Sequence, residues 1–182
     1  MKKLSDSLTE SRFVDLINKK FTDELRKEDT ILTGNLQKLK PVDIGTSVLW
    51  ADNDLCVGGE YLFTFDDVTD MLKNSEWRLP TVSEVKELKE CKKYIRYGKY
   101  IFTNNGTSLT FYPHGYIDVF EESEGIQFPD DVKGWTTNKS IIASSNNMKT
   151  YIMNPGNFNV SSFSFPAVNK NSLLSARLVK DK

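Results

Sequence analysis

Trp77-Arg78-Leu79-Pro80-Thr81-Val82-Ser83-Glu84-Val85-Lys86-Glu87-Leu88 is the stretch whose reading decides the fold. Pro80 disfavours helical backbone at Leu79, so the chain arrives extended. Thr81 and Glu84 have the S/T-x-x-E spacing of a capping box, in which each side chain satisfies an orphan backbone N–H. Val82, Val85 and Leu88 follow at three-residue steps and make one inward apolar stripe, which sends Glu84, Lys86, Glu87 and Lys89 toward water. An aromatic strand end, a sharp entry and a short capped helix belong to a compact mixed domain.

Upstream, Thr64 to Lys73 reads as a second short helix, capped by Thr64 and Asp67 and burying Phe65, Val68, Met71 and Leu72. Before it, Val42–Ala51 reads as a hairpin, with Asp43, Gly45 and Thr46 supplying the turn. Asp52, Asn53 and Asp54 face Gly58 and Gly59 across a loop around Cys56. Their oxygens suit calcium in type, but the Gly and Glu of an EF-hand loop are missing, so the expectation is a solvated turn.

Downstream, Asn105-Gly106 sits between aromatic and β-branched residues of Lys99–Pro113, a strong hairpin signal. His114, the sole histidine, reads as a hydrogen-bonded core or turn residue. Residues 118–134 read as a long acidic loop, and Gly134-Trp135-Thr136-Thr137-Asn138 restarts strand character. A second hairpin joins Ile141–Ala143 to Met148–Met153 through Ser144–Asn147. Asn157–Asn171 reads as a surface excursion and Leu173–Lys180 as an apolar final strand. The fold class is therefore α+β.

Residues 1–40 differ. After a Ser7/Glu10 capping box, Phe13, Val14, Ile17, Phe21 and Leu25 recur at helical spacing, followed by a linker over residues 27–40. This divides the chain into an N-terminal helical arm with linker, 1–40, and a domain, 41–182. The arm's stripe either lies back on the domain or buries against another copy or another protein, a trimer being one such arrangement.

The 182 residues suit one medium domain with an extension, and 11 Phe, 7 Tyr and 3 Trp are enough for an aromatic core. With 24 basic and 25 acidic residues there is no bulk electrostatic footprint for nucleic acid. No apolar run is long enough to span a bilayer, and no apolar stretch follows Lys2-Lys3 to make a secretion signal. Cys56 and Cys91 fit no metal-ligand spacing and read as separate thiols.

Four motifs follow one order: Val42-Asp43-Ile44-Gly45 with Ser47–Ala51, Trp77–Thr81 with Glu84, Gly134–Thr137, and Ser175–Lys180. Together they resemble the Fibrobacter-type major paralogous (FISUMP-like) domain of Bacteroidota proteins, a family similar in fold to C-type lectins and formylglycine-generating enzymes. The resemblance covers residues 41–182. It implies two short helices on a twisted, mostly antiparallel sheet, first and last strands together, and long ligand-facing loops. The calcium and sugar sets of sugar-binding lectins are not matched by Gln127-Phe128-Pro129-Asp130 or by Trp135–Asn138, and Cys56 and Cys91 do not reproduce the reactive cysteine pair of the formylglycine-generating enzymes.

No nucleophile with a base and orienting partner, no metal cluster and no cofactor fingerprint stands out, so no cofactor is expected and the reading is a non-enzymatic binding or assembly module. The polar and aromatic composition of residues 135–171 suits a recognition surface, with Trp135, Asn138, Asn146, Asn147, Tyr151 and Phe158 as candidate contacts for a protein or glycan. An unsecreted chain with an amphipathic arm fits a phage virion structural, decoration or attachment protein. The alternative is a free cytoplasmic or surface binding domain of a Bacteroidota bacterium.

Overall fold

A computed structural model describes residues 36–117, 132–139, 147–153 and 163–182, with backbone alone at 138, 139 and 147. The arm residues Phe13, Val14, Ile17, Phe21 and Leu25 lie outside the described residues, as do Asn146 and Phe158.

The architecture is α+β and every strand ladder is antiparallel. Strand β1 (Pro41–Val42) pairs with β2 (Val48–Asp54), whose other edge takes β10 (Arg177–Asp181). Two short helices, α1 (Phe65–Met71) and α2 (Val82–Glu87), follow β2, and a 3-10 turn at Leu88–Glu90 extends α2. A meander of β3 (Lys92–Arg96), β4 (Lys99–Asn104) and β5 (Thr107–Phe111) makes the second sheet. In the third, β6 (Val132–Lys139) pairs with β7 (Asn147–Met153), which also takes β8 (Phe163–Ser164) and β9 (Ala167–Asn169).

The expected local devices are in place. Both helices carry complete capping boxes, Thr64 with Asp67 and Thr81 with Glu84. The Asn105-Gly106 turn has both residues at positive φ, 48° and 80°, the geometry that matches the twist of a two-residue hairpin. The Val42–Ala51 hairpin forms with Val42 opposite Trp50. Strand β3 turns into β4 through Tyr97-Gly98, again both at positive φ.

The closing segment is the hub. Leu173, Leu174, Ser175 and Val179 bridge to Ile117, Phe63, Gly134 and Arg78 respectively, while β10 pairs along β2. Because Leu178 packs into one apolar cluster and Val179 into the other, β10 is buried on both faces. One cluster centres on Trp50, Phe102, Phe111 and Leu88, the other on Trp77, Trp135, Leu55 and Leu178. The last strand thus shares a sheet with the first but lies beside β2, which separates it from β1, whereas the resemblance implies that the first and last strands lie together.

Four other expectations change. Residues 36–40 are not free linker: Leu36 and Leu39 pack on the second cluster, and Lys40 exchanges hydrogen bonds with Asp52. Asp54 ends a strand, buried, rather than sitting in a solvated turn. Residues 163–169 supply β8 and β9, so the excursion is partly sheet. Strand β6 runs over 132–139, taking in the end of the expected acidic loop, while residues 141–143 lie outside the described residues.

Glu84 is the fifth change, since it is buried, not turned to water. Arg78 Nη1 and Nη2 donate to its two oxygens at 3.0 and 2.7 Å, and the Thr81 backbone N–H donates at 2.7 Å. Burial pushes its carboxyl up, but Arg78 and the Thr81 amide outweigh this and hold it below the ordinary carboxylate value. Arg78 also reaches Asp181, so the capping residue locks the helix entry to β10. Glu84→Ala is expected to cost about 1–3 kcal/mol by removing a charge-assisted pair and half of the cap. Urea unfolding checks this: the midpoint should fall with the slope unchanged, and an unaltered midpoint would mean Arg78 holds the entry alone.

Candidate functional site

Strand β2 delivers Asn53 and Asp54 to one end of the sheet, and the chain then turns back through Gly58-Gly59, closed by a Val57–Glu60 bridge. Both glycines have positive φ, 61° and 95°, which side-chain-bearing residues rarely adopt. The turn returns Tyr61 to the same end, where Tyr112 and His114 arrive just past β5. Asn53, Asp54, Cys56, Tyr61, Tyr112 and His114 line a recess of about 310 Å³. That is at the small end of ligand-sized pockets, roughly 300–1,000 Å³.

Arg177 holds the recess from beneath. It is fully buried, and its Nε donates to Asp54 Oδ1 at 2.8 Å. Nη1 donates to the Ala51 carbonyl at 2.9 Å and Nη2 to the Thr110 carbonyl at 2.7 Å, so one guanidinium joins β10, β2 and β5. Its Cζ lies 4.5 Å from the Phe111 ring centroid, a buried cation–π contact. The Asp54 carboxyl is pushed up by burial, but Arg177 and the His114 hydrogen bond prevail and hold it below the ordinary carboxylate value.

Asp54 Oδ2 meets His114 Nε2 at 3.2 Å. A deprotonated carboxylate only accepts, so His114 Nε2 is the donor of this hydrogen bond. Tyr61 stacks on the imidazole, ring centroids 4.3 Å apart and 11° from parallel, and Tyr112 leans over it at 6.3 Å and 31°. The Tyr61 phenol is held above its usual value chiefly by its hydrogen bond with the Cys56 thiol. The recess thus offers fixed polar groups at its edge and aromatic faces beside them. Among the described residues no group of three His, Cys, Asp or Glu side chains is placed to hold a metal.

The residues expected to form a recognition surface fall elsewhere. Trp135 is fully buried, its Nε1 donating to the Phe63 carbonyl at 2.9 Å and its ring meeting Phe65 edge-on. Tyr151 is fully buried against Gly134, where a Cβ would stand about 2.5 Å from its Cζ. Burial, then the Asp54 charge, pushes its phenol well above the ordinary value. Both rings are core, which corrects their expected exposure. Asn138 lies on β6 and Asn147 on β7. Cys56 and Cys91 are separate free thiols, as expected.

The recess residues were missed because each is unremarkable alone. The readable signal was Arg177, a cation inside the apolar run Leu173–Val179 that requires a buried carboxylate facing it. Compared with models of protein families, with curated proteins and with solved structures, the chain matches none.

Asp54→Asn keeps the shape but leaves Arg177 charged and unpaired in the interior, with an expected cost of about 3–5 kcal/mol. The sign of its pH dependence follows from the lowered carboxyl. The pair's contribution is present above the unfolded value and is lost as pH falls through the folded one. Denaturant midpoints measured between neutral pH and pH 3 should show the wild type losing stability on acidification and Asp54→Asn losing less; parallel curves would sink the assignment.

Proposed function

We propose that this chain is a non-catalytic binding and assembly module on a C-type-lectin-like scaffold of the FISUMP-like kind, with the His114 recess as its ligand site. The observation that carries this reading is the locked Arg177–Asp54–His114 series beneath the stacked Tyr61 ring. A site preorganised in this way binds without first ordering its side chains. Aromatic faces beside amide, imidazole and phenol groups suit a hydroxyl-bearing ring, so a sugar residue is the ligand class proposed. Two short helices and the antiparallel ladders support the family resemblance, together with first and last strands in one sheet.

The proposed setting is a phage virion structural or attachment part, docked or oligomerised through the arm stripe of Phe13, Val14, Ile17, Phe21 and Leu25. This rests on the amphipathic sequence pattern of the arm.

Tyr61 is partly exposed, so Tyr61→Ala should leave the melting temperature within a degree or two while removing one face of the site. A saccharide array probed with the full chain should show at least a tenfold loss for the variant on whichever sugar binds. Retention of binding, or no sugar bound by the wild type, would defeat the ligand-site reading. Assembly is tested separately by light scattering of the full chain beside residues 36–182, which keep Leu36 and Leu39 on the core. Oligomers from the first and monomers from the second are expected; monomers from both would leave a free binding domain.

A further inference from the structure

Strand β3 is an edge strand, paired only with β4 among the described residues. Its outward face carries Lys92, Tyr94 and Arg96, all exposed, and Arg96 stands opposite Lys99 across the turn. On the other side, the ammonium groups of Lys86, Lys89 and Lys93 converge on two rings. Lys89 lies 5.6 Å from the Phe163 centroid and 5.9 Å from that of Phe165, with Lys93 5.9 Å over Phe163 and Lys86 5.5 Å over Phe165.

None of these cations takes part in an ion pair among the described residues, whereas Lys73, Arg78, Lys170, Arg177, Lys180 and Lys182 each have a carboxylate. Like charges three or four apart on a helix, or directly opposite across strands, destabilise the fold that holds them. The chain nevertheless concentrates them here, while its formal net charge is only −1. Lysines on an edge strand discourage edge-to-edge pairing, but that role does not call for Tyr94 and Tyr97 to stand 47% and 85% exposed beside them.

We infer that the outward face of β3 docks an acidic polysaccharide, its carboxylate or phosphate groups taken by Lys92 and Arg96 and one sugar ring resting on Tyr94 between them. Lys92 and Arg96 lie four residues apart on the strand, about 13 Å, so they flank Tyr94 and take charges of one polymer chain on either side of the ring. Single-stranded nucleic acid would instead need successive open aromatic faces. Here the neighbouring exposed ring, Tyr97, already carries Arg96 over it, which leaves Tyr94 as the single open platform on the strand. The inference is independent of the His114 recess, whose lining it does not use.

Fluorescence anisotropy of labelled polygalacturonate, titrated with the full chain at low ionic strength, tests this. Neutral dextran and oligo(dT) serve as comparison probes. Saturable binding to polygalacturonate that weakens with added salt is expected, at least tenfold weaker for the double variant Lys92→Glu, Arg96→Glu and unchanged for Lys73→Glu. Loss of polygalacturonate binding in Tyr61→Ala with the β3 charge reversals without effect would place that binding in the recess and overturn the inference. Circular dichroism confirms that each variant folds, and the single variant Arg96→Glu, expected to weaken binding in the same direction, supplies a second measurement should the double variant fail. Absence of binding, equal affinity for dextran, tighter binding to oligo(dT), or indifference to the β3 charge reversals would overturn the inference.

Discussion

The buried pair of Asp54 and Arg177 is the constraint the remainder of the domain is fitted around. Two charges withdrawn from water cost several kcal/mol each unless their hydrogen-bonding capacity is met. Here every nitrogen of the Arg177 guanidinium and both oxygens of Asp54 have a partner. The guanidinium spends its donors on Asp54, Ala51 and Thr110, and Asp54 spends its second oxygen on His114. A network this fully satisfied is intolerant of register change, because a one-residue slip in β10 would turn Arg177 to the opposite face. The pair therefore contributes specificity to the β2–β10 alignment as well as rigidity to the recess.

The same economy appears at the helix entry. Glu84 serves as capping residue, ion-pair partner of Arg78 and, through Arg78, a tie to Asp181. Local structure and long-range packing are thus joined at single side chains. Such coupling explains how two helices of seven and six residues, too short to persist alone, keep fixed positions beside the sheets.

Sequence showed the devices that are complete within a few residues. Capping boxes at Thr64 and Thr81 and the Asn105-Gly106 turn are of this kind, since their partners lie in the same short window. It hid what depends on a distant partner. Glu84 looked solvated by helical periodicity, yet Arg78 and the cap draw it in; Asp54 looked like a turn residue, yet Arg177 lies 123 positions away. Trp135 and Tyr151 looked like recognition residues because aromatics among polar neighbours resemble a paratope. The close approach allowed at Gly134 instead seats Tyr151 in the core. Strands β8 and β9, two and three residues long, carry too little periodicity to be read. The recess was legible only through Arg177, the one cation inside the apolar run that closes the fold.

The hub role of residues 173–181 has a consequence for how the chain acquires its shape. The contacts that seal both apolar clusters come from a segment far downstream of β2, a high-contact-order arrangement in which loop closure precedes most of the energetic return. On the ribosome, β2 has no partner for its second edge, and Asp54 no counter-ion, until Arg177 has emerged. The β3–β5 meander, built from neighbours, can form earlier and wait. Folding is therefore committed late, and during synthesis the nascent domain carries an open strand edge until its last strand arrives to close it.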